Sequence, residues 1–355
     1  MKGAGRWILG IAVSALLIWW VLRDVEIAEV GRQIATGNLW WFLGSVFVGT
    51  SGYFVRAMRW KVFLHPLNPD TRLRSRWAGM SIGFMVNNLV PGRVGELARP
   101  LVLGRLERLP FSGVFGTLVV ERFLDSLVML SFVFIAVLTP GFPDSAEVFS
   151  GDLGVMVRWA LGAIAILIVF LLAMLFFPKP MVHITERVAV RLPGSWGGRI
   201  VGALESFLEA MTLFHSPVLV LKALAWSYGF WLWHGVSFWM GFKAFGVDAG
   251  FGAALFTEAI VAFAVAIPAT PGFFGTFQFG AVLALVEVYG MPEPQTLAFA
   301  FGYHFGGFIP ITLIGLYYAS RLGFSLKDLQ APTESGEGEE DRSGEERDRE
   351  RHVDS

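Results

Sequence analysis

Cysteine is absent from the 355 residues. That excludes disulfides, thiolate metal sites and cysteine nucleophiles, and it says nothing about compartment. Charge is scarce too. Asp, Glu, Lys and Arg make up 16% of the chain, where a soluble domain carries about a quarter. Metal-ligand spacing, a nucleophile elbow, a paired His–carboxylate motif and a nucleotide-binding motif are all missing. No cofactor, metal or nucleic-acid partner is therefore expected. What is abundant is apolar: 54% hydrophobic residues, with 33 Phe and 13 Trp, and a mean hydropathy of +0.58. The composition fits one all-α, polytopic membrane domain.

The formal net charge of −1 hides a split. Residues 331–355 hold ten acidic side chains against four arginines, a net −6, so the preceding 330 residues carry +5. The acidic tail, 330–355, has little apolar content and reads as a disordered cytoplasmic segment.

A spanning helix needs about 17–25 mostly apolar residues. Six stretches qualify: 6–22, 39–60, 112–138, 155–177, 218–246 and 295–320. The first resembles a signal peptide but lacks a small-x-small cleavage site, and reads as a retained helix. Two further apolar stretches are interrupted. One, 78–104, breaks at Pro91-Gly92; the other, 252–289, breaks at Pro268 and at Pro271-Gly272. Their first halves are too short to cross, so they read as re-entrant hairpins, which survive at membrane depth only when buried in protein or lining a wet cavity. Residues 181–214 read as a pair of interfacial cytoplasmic helices. Trp19-Trp20 and Trp40-Trp41 read as interface anchors.

Basic residues fall in alternate loops. Arg56, Arg59, Lys61, Arg72, Arg74, Arg76, Arg105 and Arg108 lie between the second and third spans, and Lys179, Arg187, Arg191, Arg199 and Lys222 between the fourth and fifth. The other loops are poor in base. Positive charge marks the inner face, so both termini are expected in the cytoplasm. The first hairpin then enters from inside and the second from outside.

The two breaks share a pattern, Pro-Gly-x-x-Gly: Pro91, Gly92 and Gly95 against Pro271, Gly272 and Gly275. In each half, about 1–138 and 155–320, two spans precede the hairpin and one follows. Three spans per half gives opposite orientation, an inverted repeat. Paired broken segments of this kind point to a transporter's midplane site.

Charges inside the apolar domain cost several kcal/mol at the bilayer centre and therefore face a cavity or a partner. The first cluster is Asn87, Asn88, Arg93, Glu96 and Arg99. On a helix starting after Pro91 the three charged residues share a face, and guanidinium groups beside a helix N-terminus suit a phosphate. The second is "VVERFLDSL", where Glu121 and Asp125 share a face and Arg122 points about 100° away. Two carboxylates on one face call for a basic partner, for which Arg93 or Arg99 is the candidate. Alternatively the five charges neutralise one another and lock the hairpin to its neighbour. The second hairpin offers Thr270, Thr276 and Gln278, with Glu258 near its start. His234 and His304 read as hydrogen-bonded packing residues.

"NNLVPGRVGELARP", "ERFLD" and "PATPGFFGTFQ" together resemble the membrane-domain family of lysylphosphatidylglycerol synthases, the flippase-like domain family, over about 6–320. The resemblance implies a domain of 1–329 that moves lipids across the cell membrane, with membrane lipids and a separate lipid-modifying enzyme as partners. Lipid aminoacylation is not expected, since only the acidic tail follows Leu329. Where the family commonly has Glu, this chain has Gln278, which leaves no carboxylate there for proton coupling. No isolated protonatable pair stands out elsewhere, so downhill movement is expected. The competing expectation is a membrane transferase or hydrolase acting on a lipid-linked substrate, with Glu96, Glu121 or Asp125 as acid or base.

Overall fold

The computed structural model describes residues 12–13, 15–23, 26–139, 142–143, 208–210, 212–266 and 271–325, with isolated positions at 162, 169 and 204. The described residues contain helices and no strand. After a helical stretch at 15–22 come α1 (Ile27–Ala35), α2 (Leu39–Leu64), α3 (Leu73–Leu89), α4 (Gly95–Glu107) and α5 (Phe111–Leu138). Then follow α6 (Pro217–Phe245), α7 (Phe251–Ala266), a 3-10 turn at Pro271–Phe273, α8 (Thr276–Val282), a π turn at Leu283–Val288, and α9 (Glu293–Leu322). The span expected at 155–177, most of the helix pair at 181–214 and the acidic tail lie outside the described residues.

Local chemistry sets the ends. Asn38 caps α2 by accepting from the Trp40 and Trp41 amides at 3.1 and 3.2 Å, satisfying donors that the first turn leaves open. Ser216 caps α6 with Pro217 at the first helical position, and Gly246 closes that helix in the left-handed conformation. Helix α2 and helix α3 both extend beyond their expected limits. Helix α2 continues to Leu64, and α3 begins at Leu73 rather than near 78. At the start of α3, Arg76 is buried and donates to the carbonyls of Ala57 and Met58 at 2.9 and 3.1 Å. It ties α3 to α2 where a loop was expected.

Helices α2, α5, α6 and α9 have 26, 28, 29 and 30 residues. At about 1.5 Å per residue each exceeds the roughly 30 Å hydrocarbon thickness. By length and hydropathy together, α9 alone among the described residues passes as a membrane-crossing helix. Helix α5 carries Glu121, Arg122 and Asp125 within its length, which lowers its hydropathy without shortening it.

Both interrupted stretches fold as helical hairpins. Along the first, Gly79 faces the Arg99 carbonyl and Leu103, and Gly95 faces Gly83 and Asn87, so α3 and α4 run antiparallel. Along the second, Gly280 of α8 lies against Val261 and Ala264 of α7. Gly95 is where the approach is closest. A Cβ there would meet the Gly83 carbonyl oxygen and would sit 2.6 Å from Asn87 Oδ1 and 2.7 Å from its backbone nitrogen. Backbone cannot yield as a flexible side chain can. Gly95→Ala is therefore expected to destabilise the protein by about 1–3 kcal/mol, the usual cost of overpacking. A lowered thermal midpoint in detergent checks it; an unchanged midpoint would mean the hairpin is looser than described.

Apolar packing assigns each hairpin to a neighbourhood. Trp60, Phe63, Leu103 and Leu118 join α2, α4 and α5, while Phe238, Phe242, Phe299 and Tyr303 join α6 and α9, with Phe277 of α8. The two breaks then meet. Gly272, at φ +58°, brings its Cα beside the Asn88 carbonyl, 3.0 Å from where a Cβ would stand. Arg93 donates to the Ala266 carbonyl at 3.1 Å. Both breaks touch α9 around Phe308, its sixteenth residue of thirty. The Asn88 amide donates to Thr312 Oγ1 at 2.7 Å and to the Phe308 carbonyl at 3.4 Å, and the ring of Phe274 lies 5.5 Å from that of Phe308.

Candidate functional site

Where the hairpins meet lies a cavity of about 260 Å³, walled by residues of α2, α3, α5, α6, α7 and α9 and by both breaks. Most of its wall is aromatic and aliphatic. The polar exceptions include Arg56, Asn88, Arg93, Arg122, Asp125, His234 and Glu258.

Behind one wall sits a buried ionic cluster. Asp125 accepts from Arg59 at 2.6 and 3.3 Å, from Arg56 at 3.1 Å and from the Trp231 indole at 2.8 Å. Glu121 accepts from Arg56 at 2.7 and 3.0 Å, from Arg99 at 3.2 and 3.3 Å and from Arg122 at 2.6 Å, and lies 3.2 Å from Arg59. Glu121 and Asp125 fall on one face of α5, as their spacing requires. Their main partners, however, are Arg56 and Arg59 of α2. These two were expected among cytoplasmic loop charges, and they are buried instead. They also sit three apart on one helical face, so both reach the same pair of carboxylates.

Four guanidinium groups thus share two carboxylates, and among the described residues the cluster holds two positive charges in excess. The excess comes from Arg56 and Arg59: the charges singled out in the sequence, Arg93, Glu96, Arg99, Glu121, Arg122 and Asp125, balance among themselves, and Arg99 ties α4 to Glu121 of α5. Aromatic faces take up part of the load: Arg99 lies 4.7 Å from the Trp60 ring centre, Arg56 5.4 Å from Phe84 and 5.2 Å from Phe230, and Arg59 5.1 Å from Phe230.

The residues expected to form the site divide by position. Asn88, Arg93, Arg122 and Asp125 are on the cavity wall. Arg99, expected to hold a phosphate beside Arg93, is 2% exposed and turned toward Glu121, so it is not on that wall. Arg93 was expected on a helix. It lies in the break with φ +56°, because α4 begins only at Gly95, and it pairs with Glu96 at 2.6 Å. Arg122 pairs with both carboxylates of its own helix, and its side chain remains 32% exposed. Asn87 and Glu121 are buried away from the wall, and Glu96 is not on it.

Gln278 is fully buried, and its role is local. Its oxygen accepts from the Gly275 amide at 2.9 Å and its nitrogen lies 3.2 Å from His304 Nδ1. Gly92, Gly272 and Gly275 have φ of +86°, +58° and +88°, a region open to glycine at little cost; they shape the breaks at Pro91 and Pro271. Pro268 and Thr270 lie outside the described residues. His304 is a buried packing residue stacked 4.7 Å from Phe277. His234, likewise hydrogen-bonded and ring-packed, lies 5.4 Å from the Phe238 ring, and its Nδ1 is 2.6 Å from Glu258 Oε1 at the cavity wall. The two are 24 positions apart on different helices, and no local pattern joins them.

Residues 7–315 match the family described as the lysylphosphatidylglycerol synthase TM region. Among curated proteins, a UPF0104 membrane protein of Methanothermobacter thermautotrophicus is 25% identical over 265 residues, 70% of this chain and 74% of that protein. UPF0104 membrane proteins of Pyrococcus horikoshii and Methanocaldococcus jannaschii are 25% and 23% identical over 134 and 124 residues. Those matches cover 37% and 34% of this chain, and 39% and 37% of the relatives. A match over 7–315 takes in every helix from α1 to α8 and most of α9: this chain is a membrane protein of the lysylphosphatidylglycerol synthase TM-region family.

Proposed function

We propose that the protein carries an anionic lipid headgroup, such as that of a phospholipid, across the cell membrane through the cavity between its hairpins, without altering the lipid chemically. The observation that carries this is the excess of guanidinium over carboxylate beside the cavity. Buried charge without a counter-ion is expensive, and a phosphodiester entering the cavity would supply one. Arg122 and Arg93 are the guanidinium groups with side-chain surface to offer it; Arg56 stands behind them. Planar guanidinium forks suit phosphate oxygens, while the aromatic wall suits the glycerol and upper acyl region.

Depth supports the same reading. The breaks meet at the middle of α9, the helix most fit to cross the bilayer. On that placement α2, α5, α6 and α9 span, α3–α4 and α7–α8 are re-entrant, and with the segments at 6–22 and 155–177 the chain has six spans in an inverted repeat. Exposed Arg72, Arg74, Arg105 and Arg321 gather at one end: Arg105 lies over the Phe324 ring, and the Arg72 amide donates to Glu107. That end is the cytoplasmic one by the positive-inside rule, with both termini on that side.

The test is reconstitution into vesicles of phosphatidylcholine and phosphatidylglycerol carrying a tail-labelled fluorescent phosphatidylglycerol. External dithionite bleaches the outer leaflet only. With the protein present, the inner-leaflet signal is expected to be lost as lipid crosses. A protected inner leaflet equal to that of empty vesicles would refute transport of this lipid class. Chemical conversion of the labelled lipid, seen by chromatography, would favour an enzyme.

A further inference from the structure

The cationic cluster belongs to the first hairpin and its neighbours. The opposite wall, from α6 and α7, carries a carboxylate without an arginine. Glu258 is 1% exposed. Its Oε1 meets His234 at 2.6 Å, and its Oε2 has no hydrogen-bond partner among the described residues. Gly235 faces Oε2 closely enough that a Cβ would stand 3.1 Å from it, so the glycine keeps room beside that oxygen. His234 is partly exposed, on the cavity wall, and can pass a proton between cavity and carboxyl.

The other ionisable groups facing this pair are committed. From α2, Arg56 is held by Glu121 and Asp125, and Tyr53 packs its ring 4.5 Å from Phe84. From α5, Asp125 is held by two arginines and Arg122 by Glu121. From α9, Tyr303 shares a 2.8 Å hydrogen bond with Ser237, and His304 lies against Gln278. From the first break, Arg93 is paired with Glu96.

A buried carboxylate paired only with an imidazole cannot sit comfortably as a full charge. With one proton the pair is neutral overall, whichever partner holds it. With none it adds a negative charge to a cavity that would receive an anion; with two it adds a positive one.

We propose that Glu258 and His234 form a proton-binding site on the cavity wall, and that its occupancy sets how tightly the cavity holds an anionic headgroup. The second half of this statement rests on the reading of the cavity as an anion passage; the first half does not. The sign follows from charge: loss of the proton at high pH weakens anion binding, and gain of a proton strengthens it. Coupled in this way, a lipid anion and a proton would cross in the same direction.

Two measurements separate the halves. The first is pH-difference infrared spectroscopy of the purified protein in detergent, which distinguishes a protonated buried carboxyl from a carboxylate. The wild type is expected to show a carboxyl band that comes and goes with pH. Glu258→Gln should abolish the band, and His234→Asn should move its transition. Identical pH-difference spectra in wild type and either variant would overturn the proton site, and either variant alone suffices if the other does not fold. The second is calorimetric binding of short-chain phosphatidylglycerol. Wild-type affinity is expected to fall by about tenfold as pH rises through the infrared transition, the order given by one charge across a partly wet cavity, while Glu258→Gln, which keeps only the His234 imidazole, loses the dependence at that transition. The same pH dependence in both would overturn the coupling. If the wild type binds no phosphatidylglycerol at any pH, the anion passage fails, and the infrared result still decides the proton site.

Discussion

Glu121→Ala is expected to leave a protein that does not reach its native fold, whereas Arg99→Met is expected to be tolerated. Glu121 is the point where four guanidinium groups converge, at 2.6 to 3.3 Å. Without it the local excess rises from two positive charges to three, and Asp125 alone must answer all of them. Stranding a buried charge by removing its partner costs about 3–5 kcal/mol, a large share of the roughly 5–15 kcal/mol that holds a domain together. Arg99 is the opposite case. Its removal relieves repulsion, and Glu121 keeps three other partners. Methionine fills a similar volume against Trp60, so the cost should stay below about 1.5 kcal/mol. Monodispersity on size exclusion and thermal unfolding in detergent read both. Equal destabilisation by the two substitutions would mean that the cluster is not in cationic excess, and the case for an anion in the cavity would lose its basis.

Arg122→Ala should do the reverse: fold normally and lose transport. Its guanidinium sits partly exposed on the cavity wall, and the two carboxylates it touches keep Arg56 and Arg59 as partners. A hydrogen bond to a charged group contributes about 1.5–3 kcal/mol, so with 1.4 kcal/mol per factor of ten the initial rate in the dithionite assay should fall about 10- to 100-fold. Arg122→Lys should recover part of the rate, since it keeps the charge and loses the planar fork. Transport by Arg122→Ala at the wild-type rate would place the headgroup elsewhere.

Much of this architecture is legible in the residues. Apolar runs locate the long helices, and the recurring Pro-Gly-x-x-Gly locates both breaks. The four-residue spacing of Glu121 and Asp125 announces a shared face that needs cations. What misleads is the supply of those cations. Arg56 and Arg59 lie at the end of an apolar run, where basic residues ordinarily mark a membrane boundary, and the same count that orients the chain assigns them to water. The clue against that assignment is local: Trp60 and Phe63 continue the apolar pattern past them to Leu64. Arg93 is harder, because a positive φ at a non-glycine residue follows from the packed tips and leaves no trace in composition. Glu258 and His234 are harder still. A pairing between two helices depends on their rotation about their own axes, which hydropathy does not encode.

The aromatic rings around the cluster have a consequence for its durability. Trp60, Phe63, Phe84 and Phe230 present electron-rich faces to Arg56, Arg59 and Arg99 at 4.7 to 5.4 Å. A ring face carries a partial negative potential that no acid can neutralise, since the ring has no proton to take up. Guanidinium itself keeps its proton throughout the range in which cells live. With guanidinium groups and rings both indifferent to acid, this wall stays electropositive, and the proposed response to acidity belongs to the facing wall.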